Sequence, residues 1–336
     1  MTIVTSTPPG SGEDDRDRTT GIEIRAELAR LAAVAAAKEA QKKIVLSLLD
    51  QIPRDEYDED TETEPRPILN HDPDHPGSAA EDIDVEAHRA AVDSLVENLG
   101  RDLGITRTRL ILAGEEVPAR TTHLSHNDII GRLDACDGTT NSLEYWSGYS
   151  SVVLIDQVRL RGRRRARHLA GAIGGPQGYL SWTHDSTYNM GLGGYPQVVG
   201  KVYFEHPQFV KERRLPTRRW ARSKDTIAAV AHSSERYAQV RKIAAAHALE
   251  VDRFLSAGGT PLAPALVGGN VGAIIEPHHV TLHDSALLIP HQLLGGAITD
   301  LDGKPFDYLR VYEDHGLTLD PNDKPVHGYI AWGGLR

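Results

Sequence analysis

Asp134 and Asp137 stand three residues apart in the run Arg-Leu-Asp-Ala-Cys-Asp-Gly-Thr-Thr-Asn (132–141), and Gly138, Thr139 and Thr140 follow at what reads as a strand-to-helix junction. Clustered carboxylate oxygens are what a hard divalent cation requires, and free backbone N–H groups at a helix start attract phosphate. One segment therefore offers both halves of a phosphoryl site. Two more acidic segments can complete it. An apolar, strand-like run at 109–113 leads into Gly114, Glu115 and Glu116. Further on, Leu-His-Asp-Ser-Ala-Leu (282–287) places Asp284 at the start of an apolar helix that ends at Gly295-Gly296, a C-cap signal. Phosphate monoesters hydrolyse very slowly in water. Two cations about 3.5–4 Å apart overcome this by acidifying the attacking water and holding the leaving oxygen. Glu115, Asp134, Asp137 and Asp284 supply enough carboxylates for that arrangement. Read alone, residues 134–139 also fit a plain strand–turn–helix junction with Asp as a cap.

The surrounding elements must hold these groups. Residues 1–20 lack periodicity and read as a disordered tail. An Ala- and Leu-rich helix is expected over 22–50. Residues 53–85 are dense in Pro, Asp and Glu and read as a loop or an ordered insertion near the site. A second amphipathic helix is expected over 86–99, with Ala87, Ala91, Leu95 and Leu99 on one face. Strands are expected at 150–158 and 167–174, and helices at 234–249, 260–269 and 284–294. This alternation, with no internal repeat, predicts a layered α/β fold.

Composition narrows the classes. The 336 residues are 40% hydrophobic, enough for a large core. Lys+Arg 37 against Asp+Glu 47 gives a net charge of −10, which argues against a general nucleic-acid binder. No run approaches the roughly 18–20 apolar residues of a membrane span, and no signal-peptide core is visible at the N-terminus. A single cysteine, Cys136, suits a reducing cytoplasm, and abundant Arg and Ala hint at a GC-rich bacterial source.

Gly114-Glu115-Glu116, Asp134-Ala-Cys-Asp-Gly-Thr139 and His283-Asp-Ser-Ala286 occur in the order of the Gly-Glu-Glu, Asp-Pro-x-Asp-Gly-Thr and Trp-Asp-x-Ala elements of the inositol monophosphatase family. Softer matches are Ser233-Ser234, Gly258-Gly259-Thr260, and Gly295-Gly296 followed by Thr299-Asp-Leu-Asp-Gly303. The chain resembles this family over about residues 22–335. The resemblance implies a five-layer α-β-α-β-α sandwich and one phosphatase domain over 21–336. Its N-terminal lobe (21–190) would carry most metal ligands, and its C-terminal lobe (191–336) Asp284 and the substrate loops. It further implies two or three Mg²⁺ ions. One would be held by Glu115, Asp134 and the Cys136 carbonyl, the next by Asp134, Asp137 and Asp284. Glu115 and Thr139 would orient the attacking water, Gly138 and Thr139 would bind phosphate, and Ser233, Gly259, Thr260, Glu276 and His283 would contact substrate. The expected protein is a bacterial cytoplasmic homodimer that hydrolyses a small sugar, cyclitol or nucleoside phosphate. Two alternatives stay open. One is a bisphosphatase acting on fructose 1,6-bisphosphate or 3′-phosphoadenosine 5′-phosphate. The other is a metal- and ligand-binding relative without turnover.

Departures from the pattern matter. His88 stands where the family has an Asp near the catalytic threonine, either as a silent replacement or as a proton acceptor. Ala135 and His283 replace the motif's Pro and Trp without removing a ligand. Pro277 occupies an acidic, substrate-touching position, with Glu276 one residue earlier, so the 276–283 segment is rebuilt and myo-inositol phosphate is disfavoured. His278, His279 and His283 could together bind zinc. Gly194–Lys201 fails as a phosphate loop because its glycines are too far apart and Val202 follows the lysine. Asp300–Gly303 reads as a turn and Arg161–Arg167 as a solvated hairpin tip. Arg213, Arg214, Arg218, Arg219 and Arg222 could recognise a second phosphate or pair with surplus acid.

Overall fold

Two long helices, α1 (Glu13–Asp50) and α2 (Ser78–Leu103), pack against each other and against one face of a large sheet. A computed structural model of the chain describes residues 13–50, 78–103, 110–114, 123–137, 148–160, 164–190, 196–208, 210–217, 227–229, 234–249, 259–320 and 322–333. In α1, Ala29, Ala32, Ala33, Ala36, Ala37 and Ala40 repeat at helical spacing and are buried. Alanine favours the helix and its small side chain lets the backbone approach closely. Ile83, Ala87, Ala91, Leu95 and Leu99 of α2 complete this apolar layer.

The sheet has seven strands in chain order: β1 (Leu110–Gly114), β2 (Ile129–Asp137), β3 (Ser150–Arg159), β4 (Arg165–Gly175), β5 (Gly178–Met190), β6 (Pro196–His206) and β7 (Val210–Arg214). Only β1 and β2 run parallel. A four-stranded sheet follows, ordered β10 (Ala297–Asp300), β11 (Tyr329–Trp332), β9 (Ala273–Glu276), β8 (Ile227–Ala229). Helix α3 (Ser234–Ala246) covers its outer face through Val240 and Ala244. Between the sheets lie a 3-10 turn (Thr260–Leu262), α4 (Ala263–Gly268), α5 (Leu288–Leu293) and α6 (Tyr308–His315). Their Leu262, Leu266, Leu288, Tyr308 and Tyr312, with Leu287 just before α5, pack with Leu154 and Trp182 of one sheet and Ile274 and Tyr329 of the other. The order is helix, sheet, helix, sheet, helix, the expected five layers.

Several boundaries differ from the sequence expectation. Residues 13–20 belong to α1 rather than to a tail, and their acidic first turn, Glu13-Asp14-Asp15, suits a helix N-terminus. Helix α2 begins at Ser78, so the end of the 53–85 segment is helical; Ser78-Ala-Ala-Glu81 is a capping-box signature that apolar periodicity alone overlooks. The rest of both segments, 1–12 and 53–77, lies outside the described residues. Asp284 precedes α5 in a series of i→i+3 turns instead of opening the helix, with the N–H groups of Ala286 and Leu288 donating to His283 and Ser285. The glycine stop holds: the N–H of Gly295 donates to Gln292 and that of Gly296 to His291. Arg165 and Arg167 are not at a solvated tip. They sit on β4, where Arg165 meets Glu313 at 3.0 Å and buried Arg167 meets Asp185 at 3.5 Å. Among the described residues no helix is long and apolar enough to cross a membrane.

Candidate active site

The ladder between β2 and β3 pairs Asp134 with Val152 but Asp137 with Ser150, so β2 carries one residue more than its partner. This is a β-bulge. In a regular strand, residues three apart point to opposite faces, and the extra residue restores both Asp side chains to the same face. Burial agrees, since the consecutive Ala135 and Cys136 both pack on the α1/α2 side. Ser151 fixes the bulge by donating its hydroxyl to the Ala135 carbonyl at 2.6 Å, and the Cys136 N–H donates to Asp134 at 3.2 Å.

Both carboxylates therefore face the middle layer. There one ligand atom each from Asp134, His283 and Asp284 lies within 4.8 Å of the others, with Asp134 and His283 buried. His283 Nε2 stands 3.7 Å from Asp284 Oδ1. Asp137 is held by Thr260, whose backbone N–H donates at 3.1 Å and whose hydroxyl donates more closely; Ser150 bonds that hydroxyl at 2.6 Å. Gly259 explains how the Thr260 turn comes so near. A Cβ there would sit 2.5 Å from the Asp284 carbonyl oxygen, so only glycine permits this approach.

Asp137 and Asp284 share a cleft of about 140 Å³ with Gly259, Glu276, His278, His279, Arg236, Lys324 and Tyr329. Glu276 ends β9 and is buried. Burial pushes its carboxyl up to about 7, opposed by the His278 N–H, which donates at 2.9 Å, and by Arg236. Arg236 and Lys324 carry no motif signature, and only the cleft reveals them. His88 packs against Gly114 at the end of β1, and burial lowers its imidazole pKa; its Nδ1 has no hydrogen-bond partner among the described residues.

Of the expected site residues, Asp134, Cys136, Asp137, Gly259, Thr260, Glu276, His283 and Asp284 come together around the bulge. Glu115, Gly138, Thr139 and Ser233 lie outside the described residues. The three histidines do not cluster as one site. His283 joins the carboxylates, while His279 Nε2 meets His327 Nδ1 at 3.1 Å.

No family model and no curated protein matches this chain by sequence. Its architecture is similar to extragenic suppressor protein suhB from Bartonella henselae, with TM-score 0.51, 16% identity, and coverage of 90% of this chain and 92% of that one. It is likewise similar to CysQ from Bacteroides thetaiotaomicron, a bacterial member of the inositol monophosphatase family, with TM-score 0.50, 14% identity, and coverage of 91% and 97%. The chain has the inositol monophosphatase fold. Within that fold the bulged β2 end, the Thr260 turn and the Asp284 turns meet between the two sheets, where donor atoms from distant parts of the chain can serve one ligand.

Proposed function

We propose that this protein is a member of the inositol monophosphatase family and a Mg²⁺-dependent phosphatase of small phosphate monoesters on a sugar, cyclitol or nucleoside. The observation that carries this reading is the convergence of Asp134 and Asp284, with Asp137 in the same cleft. Hard carboxylate oxygens at this spacing fit a divalent cation, which when bound polarises the phosphate and lowers the pKa of a coordinated water. In this reading Asp134 would serve both ions, Asp137 and Asp284 would hold one, and Glu115 with the Cys136 carbonyl would hold the other. Thr260 keeps Asp137 in one rotamer. Glu115 and Thr139 orient the attacking water, and the N–H groups of Gly138 and Thr139 bind phosphate oxygens. Substrate hydroxyls meet Ser233, Glu276 and the Gly259–Thr260 turn. The same reading makes the protein a bacterial cytoplasmic homodimer.

A second reading draws on Arg236 and Lys324 at the cleft. Two cations beside the acidic floor suit a substrate with a second anionic group, such as a bisphosphate. Phosphate release should be followed over a panel of mono- and bisphosphorylated metabolites, with chelator and then with Mg²⁺ restored. Release that requires the cation is expected. No release from any member with any divalent ion would discard the phosphatase reading, and the mono- to bisphosphate ratio separates the two substrate classes.

A further inference from the structure

His283 brings a nitrogen donor among the carboxylates of the site. Its ring nitrogen lies with carboxylate oxygens of Asp134 and Asp284 inside a span of 4.8 Å, and 3.7 Å from the Asp284 oxygen. Ligands at about 2.0–2.2 Å around one ion stand roughly 3–4.4 Å from each other. The three groups are therefore within a small closure of sharing an ion. His283 and Asp134 are both buried, so neither can turn away into solvent. Asp284 follows His283 directly, and the i→i+3 turn from His283 to Ala286 fixes this stretch of backbone.

We infer that Asp134, His283 and Asp284 form a mixed carboxylate–imidazole metal site that selects a first-row transition ion such as Mn²⁺ over Mg²⁺. This rests on the reading that the cleft holds a divalent cation, and replaces Mg²⁺ as the ion that this site prefers. Mg²⁺ favours oxygen and sheds its water reluctantly, whereas imidazole nitrogen suits the later divalent ions, whose affinities rise from Mn²⁺ onward. Two carboxylates keep the site open to Mn²⁺, and the nitrogen tips the choice.

The full-length protein, freed of metal by a chelator, should be titrated with Mn²⁺ and read by electron paramagnetic resonance and spin-echo modulation. Bound Mn²⁺ is expected to show coupling to one ¹⁴N nucleus. In His283→Gln the coupling disappears and Mn²⁺ affinity falls at least about tenfold, while Mg²⁺ affinity, measured by competition, holds. The wild-type nitrogen signal needs no variant, so misfolding of His283→Gln leaves the test intact. Bound Mn²⁺ without nitrogen coupling, or an Mn²⁺/Mg²⁺ ratio equal in both proteins, would overturn the inference, as would absence of Mn²⁺ binding. Nitrogen-coupled Mn²⁺ in a protein that hydrolyses no phosphate ester would uphold the inference and remove the phosphatase reading. Phosphate release driven by a divalent ion in a protein whose bound Mn²⁺ shows no nitrogen coupling would do the reverse.

Discussion

Two buried polar clusters sit on the same sheet, and each is built on a bulge. At the first, β2 gains a residue between Asp134 and Asp137. At the second, β4 gains Leu169, because Ile155 pairs with Ala170 while Asp156 pairs with His168. In the second cluster the acceptor atoms of Asp156 and His168 each find a donor, while Glu313 Oε1 at its edge has no hydrogen-bond partner among the described residues. Asp156 accepts from Arg132 Nε at 3.1 Å, from the Tyr312 hydroxyl at 2.8 Å and from His168 Nδ1 at 2.8 Å. Trp182 Nε1 donates to His168 Nε2 at 2.8 Å, which assigns the Nδ1–H tautomer to that ring. Arg132 also donates to the carbonyls of Gly316 and Thr318. The first cluster differs in kind: acid faces acid across a cleft. One bulge serves a structural junction, and the other gathers carboxylates around a cleft that Arg236 and Lys324 also line. The same backbone device does not reveal the role; the balance of donors and acceptors does.

The strongest way to break this contrast is Asp134→Asn. Losing a cation ligand should cost several kcal/mol in the transition state, so phosphate release should fall about a thousandfold. Thermal melts of the metal-free variant should match or exceed wild type, because a repulsive charge is gone. Retained turnover would remove Asp134 from the site. Asp156→Ala should behave in the opposite way. It strands the buried Arg132 guanidinium and should cost about 3–5 kcal/mol in denaturant unfolding, while Mn²⁺ binding by the folded fraction persists. A variant that unfolds normally yet loses metal would merge the two clusters into one.

Gly259→Ala tests the geometry rather than the charge. The added methyl meets the Asp284 carbonyl and should displace that turn, at about 1–3 kcal/mol in stability and ten- to a hundredfold in turnover. Unchanged kinetics would mean that the Thr260 turn and Asp284 need not touch. The smallest effect concerns Glu313, buried at the edge of the second cluster with its carboxyl pushed up to about 7. Burial is the main cause; Arg165 and Arg167 oppose it and Asp156 reinforces it, while His184 lies 4.0 Å away with its own pKa pushed down to about 3. A carboxyl raised in the folded state binds its proton more tightly there than in the unfolded chain. Stability therefore falls as pH rises from the ordinary carboxyl value towards about 7, by up to about 1.4 kcal/mol per pH unit for one group. Glu276 adds a slope of the same sign, so Glu313→Gln should remove part of the dependence in pH-resolved melts. An unaltered slope would place the Glu313 titration elsewhere.

Much of the layered fold was legible, because apolar periodicity reports burial and burial makes the layers. Ala87, Ala91, Leu95 and Leu99 were read from spacing and line the α2 face as expected. Strand ends near 150–158 and 167–174 fell within a few residues of β3 and β4. The helix starts at Glu13 and Ser78 were missed because polar first turns carry no apolar signal. Residue type and order single out Asp134, Asp137 and Asp284, which the fold brings near one another. They do not single out the bulge, since no residue in Ala135-Cys136 announces it. Arg236 and Lys324 stayed hidden for a similar reason: a surface cation becomes part of a cleft only when tertiary structure folds it inward.

That silent insertion gives the chain an unusual kind of vulnerability. Inserting one residue beside Ser151 of β3 would touch no proposed ligand and no charge, yet β2 would fall back into strict alternation with β3. Asp137 would then swing through the sheet toward α1 and α2, among alanines that offer it nothing. Parity of residue count, as much as identity of side chain, decides on which side of this molecule chemistry is possible.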